Sequence, residues 1–180
     1  MNLKDPAALA AFLDKIKSTD NDTRIGAWQS AGPMGASAIA PLAEIAAGTE
    51  KGPAKAATEA MQSIAHYSAR HGSGPETHAV SAALLKVGAS AKPRLVRSNA
   101  INLIGFTGDS TAIPGLMKLL ADMEMREDAR MALERIPGAA SLNALKKAYA
   151  AGPADFKDNI QQSLHNRGLT PKTAGLLATR

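Results

Sequence analysis

Apolar positions along the chain recur in blocks at helical spacing. Leu9, Phe12, Leu13 and Ile16 open one series. Ile39, Leu42 and Ile45 continue it, followed by Val80, Ala83, Leu84 and Val87, by Ile113, Leu116, Leu119 and Leu120, and by Leu142, Leu145 and Tyr149. Each block places its apolar residues at i, i+3 and i+6 or i+7, which is one stripe of a helix. Between these blocks lies a second kind of segment, with small or apolar residues at relative positions 0, 3, 4 and 7. Ala57, Ala60, Met61 and Ile64 form one copy, Ala129, Ala132, Leu133 and Ile136 another, and Ile160, Ser163, Leu164 and Arg167 a weaker one. Anchored on Ala27, Ala57, Ala100, Ala129 and Ile160, the repeat advances by 30, 43, 29 and 31 residues. Each step has room for two short helices. The long step carries extra residues around His66 to Pro75, whose Gly and Pro predict a longer connection.

Punctuation follows the same count. Pro6, Pro75, Pro114 and Pro153 stand at or near predicted helix starts, and Gly35, Gly48, Gly88, Gly108 and Gly138 where helices should end. A helix pair of this length cannot bury its apolar stripe alone, so neighbours must stack. The expected fold is therefore all-α, an α-solenoid of about five antiparallel helix pairs. Its units cover residues 5–35, 36–72, 73–108, 109–138 and 139–168 of a single domain, 1–168. In the remaining segment, 169–180, Thr170-Pro171 could start a helix and Leu176-Leu177 could cover the last unit; the plainer reading is a frayed tail.

Composition removes the competing fold classes. Of 180 residues, 45% are hydrophobic, but 37 are alanine and only six are aromatic (Trp 1, Tyr 2, Phe 3). Residues that favour strands are scarce, which argues against a sandwich or barrel. With no cysteine there is no disulfide framework, zinc ribbon or thiol nucleophile. The N-terminal residues lack the basic and apolar regions of a leader, and no apolar run reaches membrane-spanning length, so a soluble, cytoplasmic chain is expected, with no membrane partner. The net charge of +5 is concentrated in residues 51–100, which hold 7 basic and 2 acidic residues. An acidic partner suits that stretch; a solvated basic face with no ligand is the plainer reading.

The run Leu103-Ile-Gly-Phe-Thr-Gly-Asp109-Ser-Thr-Ala-Ile-Pro114-Gly-Leu116 resembles the repeat signature of the HEAT superfamily, in the short form of phycobilisome-lyase-like proteins. The likeness extends over nearly the whole chain. It implies a fold far more than a function, because such repeats serve as scaffolds, adaptors, lyase subunits and nucleic-acid tools. It also implies that an Asp and an Arg in each unit form a ladder between units. Asp20 with Arg24, and Asp122 with Arg126, match that pattern; each Asp also stands where an N-cap belongs. Arg97 and Lys157 hold the basic position without the Asp, which leaves their charge for a ligand.

In HEAT-like solenoids the second helices line the concave face. If that carries over, Trp28, Thr58, Gln62, Arg97, Ile101, Arg130 and Lys157 are the candidate binding residues. Trp28 and Ile101, apolar residues off the core stripe and near arginines, resemble the anchors of an interaction surface. Trp28 could equally pack beneath the first unit.

Chemistry finds little footing. His66, His71 and His78 straddle a Gly-Pro loop, and no His pair falls at i, i+4, so no metal is expected. There is no Gly-x-Ser-x-Gly elbow and no phosphate loop. The expected role is a non-enzymatic, cofactor-free, monomeric scaffold or adaptor that binds a protein segment, acidic in character, on its concave face. Two further readings stay open. One is nucleic-acid binding in the manner of HEAT-like DNA glycosylases, favoured by a sequence pI of 9.6 but short of aromatics for stacking. The other is a bilin-lyase-like subunit, which only the repeat likeness supports.

Overall fold

The computed structural model describes residues 5–168. These form ten α-helices and, among the described residues, no strand: α1 Pro6–Ile16, α2 Asn21–Gln29, α3 Ile39–Ala46, α4 Lys51–Ser68, α5 Gly74–Gly88, α6 Arg94–Thr107, α7 Ile113–Leu119, α8 Arg126–Arg135, α9 Ala139–Ala151 and α10 Ala154–Asn166. Short 3-10 turns, Gly32–Ala38 and Ser110–Ala112, lead into α3 and α7. Segment 169–180, with Thr170, Pro171, Leu176 and Leu177, lies outside the described residues.

Local chemistry accounts for the helix ends. Asp5 caps α1 by accepting the Ala7 N–H at 3.0 Å, with Pro6 as the first helical residue. Pro75 and Pro114 fall in the first turns of α5 and α7, and Pro153 is the N-cap of α10. Gly108 ends α6 in the left-handed region, at φ 68°, where a side chain would be strained.

The long repeat step is not absorbed by a loop. It lengthens the helices instead: α4 has 18 residues and α5 has 15, and only residues 69–73 join them. Ala65 and Ser68 on the added turn of α4 are buried, as is Thr77 on α5, so both helices keep packing where a loop was expected. The Ser73 and Thr77 hydroxyls, the latter at 2.6 Å, donate to the Ser68 carbonyl and close the turn. Gly72, at φ 85°, supplies the reversal.

Consecutive helices pack as α1 with α2, α3 with α4, α5 with α6, α7 with α8 and α9 with α10. The even-numbered helices also touch one another in sequence, α2 to α4 to α6 to α8 to α10. Their direction follows from which ends meet. Arg97 near the start of α6 reaches Asp122 just before α8, while Gly105 near the end of α6 faces Ala132 and Arg135 near the end of α8. Arg126 opening α8 meets Asp155 opening α10, and Glu134 meets Asn166 at their far ends. These helices therefore run parallel. The core between rows is built from the stripes read in the sequence: Ile16, Ile39, Leu42, Val80, Leu84, Leu116 and Leu145 have no accessible surface, as do Ala57, Ala100, Ala129, Met61, Ile104 and Leu133 on the even helices.

Candidate functional site

Five parallel helices side by side create one candidate surface and four seams between neighbours. Most of the arginines singled out above lie in the seams. Arg97, only 12% exposed in its side chain, donates from Nε to the Gly88 carbonyl at 3.0 Å, from Nη2 to Asp122 at 2.5 Å and from Nη1 to Glu124 at 3.1 Å. It is thus not free for a ligand. Asp122 is its partner rather than Arg126's. The Arg97 guanidinium holds the Asp122 carboxyl below the usual carboxylate range against the pull of burial, with help from the Glu124 N–H. Arg126 in turn reaches forward to Asp155 at 2.8 Å and lies over the Phe156 ring at 4.7 Å. Arg130 bonds Glu127 at 2.7 Å and Glu134 at 3.1 Å, and also meets Ser163 of α10.

The first seam differs. Asp20 caps α2, accepting the Thr23 N–H at 2.7 Å and its hydroxyl at 2.5 Å; the hydroxyl is the leading cause that holds this carboxyl below its ordinary value. Arg24 pairs with no carboxylate among the described residues. It donates to the Ser18 and Thr19 carbonyls at 2.7 and 2.9 Å, closing the turn between α1 and α2, and its guanidinium lies against Gly52 of α4. A side chain at residue 52 would occupy that space.

Four candidate binding residues meet solvent to differing degrees, and one meets none. Trp28 is half-buried and lines a cleft of about 310 Å³ between α2 and α4, with Arg24, Lys55 and Glu59 on its walls. Thr58 is half-buried and its hydroxyl returns to the Ala54 carbonyl at 3.0 Å. Gln62 is exposed. Lys157 extends over the Tyr149 ring at 5.8 Å. Ile101, expected at the surface, is fully buried. Its Cγ1 fills the space above Gly88, 2.6 Å from where a side chain there would begin, so it belongs to the packing between α5 and α6.

Other groups come together that the repeat reading did not single out. On the even-helix surface, Phe106 is 53% exposed and lies between the His66 ring of α4, edge-on at 5.8 Å, and the Arg135 guanidinium of α8 at 5.0 Å. Leu95, at the start of the same helix, is 69% exposed. Under that surface Asp128 is buried and accepts from Ser98 at 2.8 Å and Asn102 at 3.2 Å; its second oxygen faces only Arg94, at 3.6 Å. Between α5 and the turn after α6, His78 Nδ1 meets Asp109 at 2.9 Å. The histidines are thereby dispersed, and among the described residues no three His, Asp or Glu side chains are grouped to hold a metal ion. An exposed Phe at the last turn of a helix is the one sequence signal that could have found the Phe106 site; its partners lie 40 residues before and 29 after it.

No protein-family model matches the chain, and no curated protein matches it.

The Arg97 seam yields a prediction. Arg97→Ala is expected to cost about 1–2 kcal/mol, because several charge-assisted bonds vanish while the carboxylates can turn to water. It should also return the Asp122 carboxyl toward its ordinary range. Urea denaturation and an NMR titration of Asp122 check both outcomes.

Proposed function

We propose that the chain is a non-catalytic scaffold, a monomeric, cytoplasmic HEAT-like solenoid of five helix pairs that holds a segment of a partner protein on its even-helix surface. One observation carries this reading: the parallel row from α2 to α10, tied across its seams by Arg97 with Asp122 and by Arg126 with Asp155, with two large apolar side chains exposed on its middle member. A surface spread over several elements suits an elongated partner better than a small molecule, which needs a concave pocket with convergent polar groups. The Trp28 cleft, with an indole among charged walls, adds a recess on the same row. The bonds that occupy Arg97, Arg126 and Arg130 fit a rigid frame, which lowers the entropy cost of binding.

The test is site-specific photocrosslinking. With a photoreactive residue at Gln62, on the even row, the protein should crosslink to a polypeptide in extract of its source cells. With the same residue at Lys86, exposed on α5, it should not. Equal crosslinking from both positions, or products that contain only nucleic acid, would contradict the reading.

A further inference from the structure

The uncovered face of α6 is the most distinctive surface on the row. Leu95, Asn102 and Phe106 are separated by seven and four residues, so at about 100° per residue they lie within roughly 40° of one another on the helix. The two apolar members stand about 16 Å apart along the axis. Leu95 and Phe106 are among the most exposed large apolar side chains described.

Phe106 is held in place. The His66 ring abuts its edge, Arg135 covers one side, and Arg135 also donates to the Asn102 amide oxygen at 3.0 Å. An aromatic ring immobilised before binding loses little freedom when a partner covers it, which is what makes such residues effective anchors.

Charge distinguishes the two ends of the face. Beside Leu95 stands Arg94, 59% exposed, with one guanidinium nitrogen 3.6 Å from the buried Asp128 carboxylate and its other donors open. The His66–Phe106 contact sets the register of α4 against α6, and Lys55 precedes His66 by the same eleven residues as Leu95 precedes Phe106, so Lys55, exposed and with no ion pair among the described residues, stands at the height of Leu95. The N-termini of α4 and α6 point the same way and add partial positive charge there. The Phe106 end lies at helix C-termini, whose carbonyls oppose anions, and its Arg135 is already engaged with the ring and Asn102. A nucleic-acid strand would bring a phosphate to both ends alike. An acidic protein segment need carry its charge at one end only.

We infer that this face binds an amphipathic helical segment of a partner protein, with one apolar side chain seated on Leu95, a second about 16 Å away on Phe106, and acidic residues beside the first that meet Arg94 and Lys55. The inference rests on the scaffold reading and names the chemistry of its partner.

Selection from a displayed library of random peptides of about 20 residues, long enough to span both anchors as a helix, tests it, with the purified protein as bait. Peptides rich in Asp and Glu, with apolar residues at helical spacing, should be enriched. Their affinity, read by fluorescence anisotropy, should fall about tenfold or more in each of Leu95→Ser, Phe106→Ser and Lys55→Glu, and stay unchanged in Trp28→Ala. Leu95 and Lys55 are exposed and make no ion pair among the described residues, so those variants keep the test valid if Phe106→Ser fails to fold. Peptides that depend on Trp28 and ignore Leu95 and Phe106 would overturn this assignment and leave the scaffold reading standing. No enriched peptide, or binding only to a labelled oligothymidine control at low salt, would overturn both.

Discussion

Replacing Ile101 by alanine lowers the unfolding free energy by about 2–5 kcal/mol, the range for emptying a fully buried aliphatic site. The size of the loss follows from what surrounds the side chain. Ile101 has no accessible surface, and its Cγ1 fills the notch that Gly88 leaves where α5 approaches α6. Alanine cannot reach across that notch, and a glycine backbone at a helix end offers nothing that could collapse into it. Urea denaturation of the two proteins measures the difference directly. Leu95→Ser, one helical turn and a half earlier on the same helix but exposed, should shift stability by no more than about 0.5 kcal/mol. If Ile101→Ala leaves stability intact and weakens partner binding instead, the buried position is wrong and Ile101 returns to the interaction surface.

The second large effect is expected at Asp109. Its side chain is 1% exposed and accepts three bonds, from the Thr111 N–H at 3.0 Å, the Thr111 hydroxyl at 2.6 Å and His78 Nδ1 at 2.9 Å. It therefore caps the turn that leads into α7 and ties it to α5. Asp109→Ala should cost about 2–3 kcal/mol, the loss of a cap together with donors left without a partner. Burial by itself would raise this carboxyl's pKa, yet the Thr111 hydroxyl and N–H and the His78 ring outweigh it and hold the pKa below the usual 3.8. A carboxyl whose folded pKa is depressed contributes stability above the unfolded value, and that contribution is lost as pH falls through the folded value. The wild-type protein should thus lose stability below about pH 4 more steeply than Asp109→Asn, which no longer titrates there. Denaturation curves between neutral pH and about pH 3 compare the two slopes; parallel slopes would contradict the assignment.

Legibility in the sequence followed the range of the interactions. The apolar stripe of each helix depends on residues three or four apart, and Phe12, Ile39, Leu84, Ile113 and Leu145 are buried where their spacing placed them. Helix starts at Pro6, Pro75 and Pro114 depend on a single residue's φ and missing N–H. Partnerships between helices were not legible in this way. Asp122 and Arg126 stand four residues apart, and on that spacing they form a matched set. In the fold Asp122 takes Arg97 from the preceding even helix and Arg126 takes Asp155 from the following one. The extra residues from Ala65 to Pro75 carry loop-forming Gly and Pro, yet α4 runs on to Ser68, because Ala65 and Ser68 find a buried surface, and α5 already begins at Gly74.

Alone, the sequence determined that the chain is helical, roughly where its helices begin and end, and which face of each is apolar, because backbone hydrogen bonding, caps and stripe periodicity are set within a few residues. Tertiary structure decided which charges are spent and which apolar groups stay uncovered. Ile101 and Phe106 are five residues apart on one helix, about 140° around its axis; helix geometry puts them on different faces but does not say which of the two faces is covered. One meets the notch at Gly88 and is sealed; the other emerges between His66 and Arg135 and remains open. That difference depends on what the neighbouring helices present to each face of α6, which is a property of their packing and not of the α6 sequence.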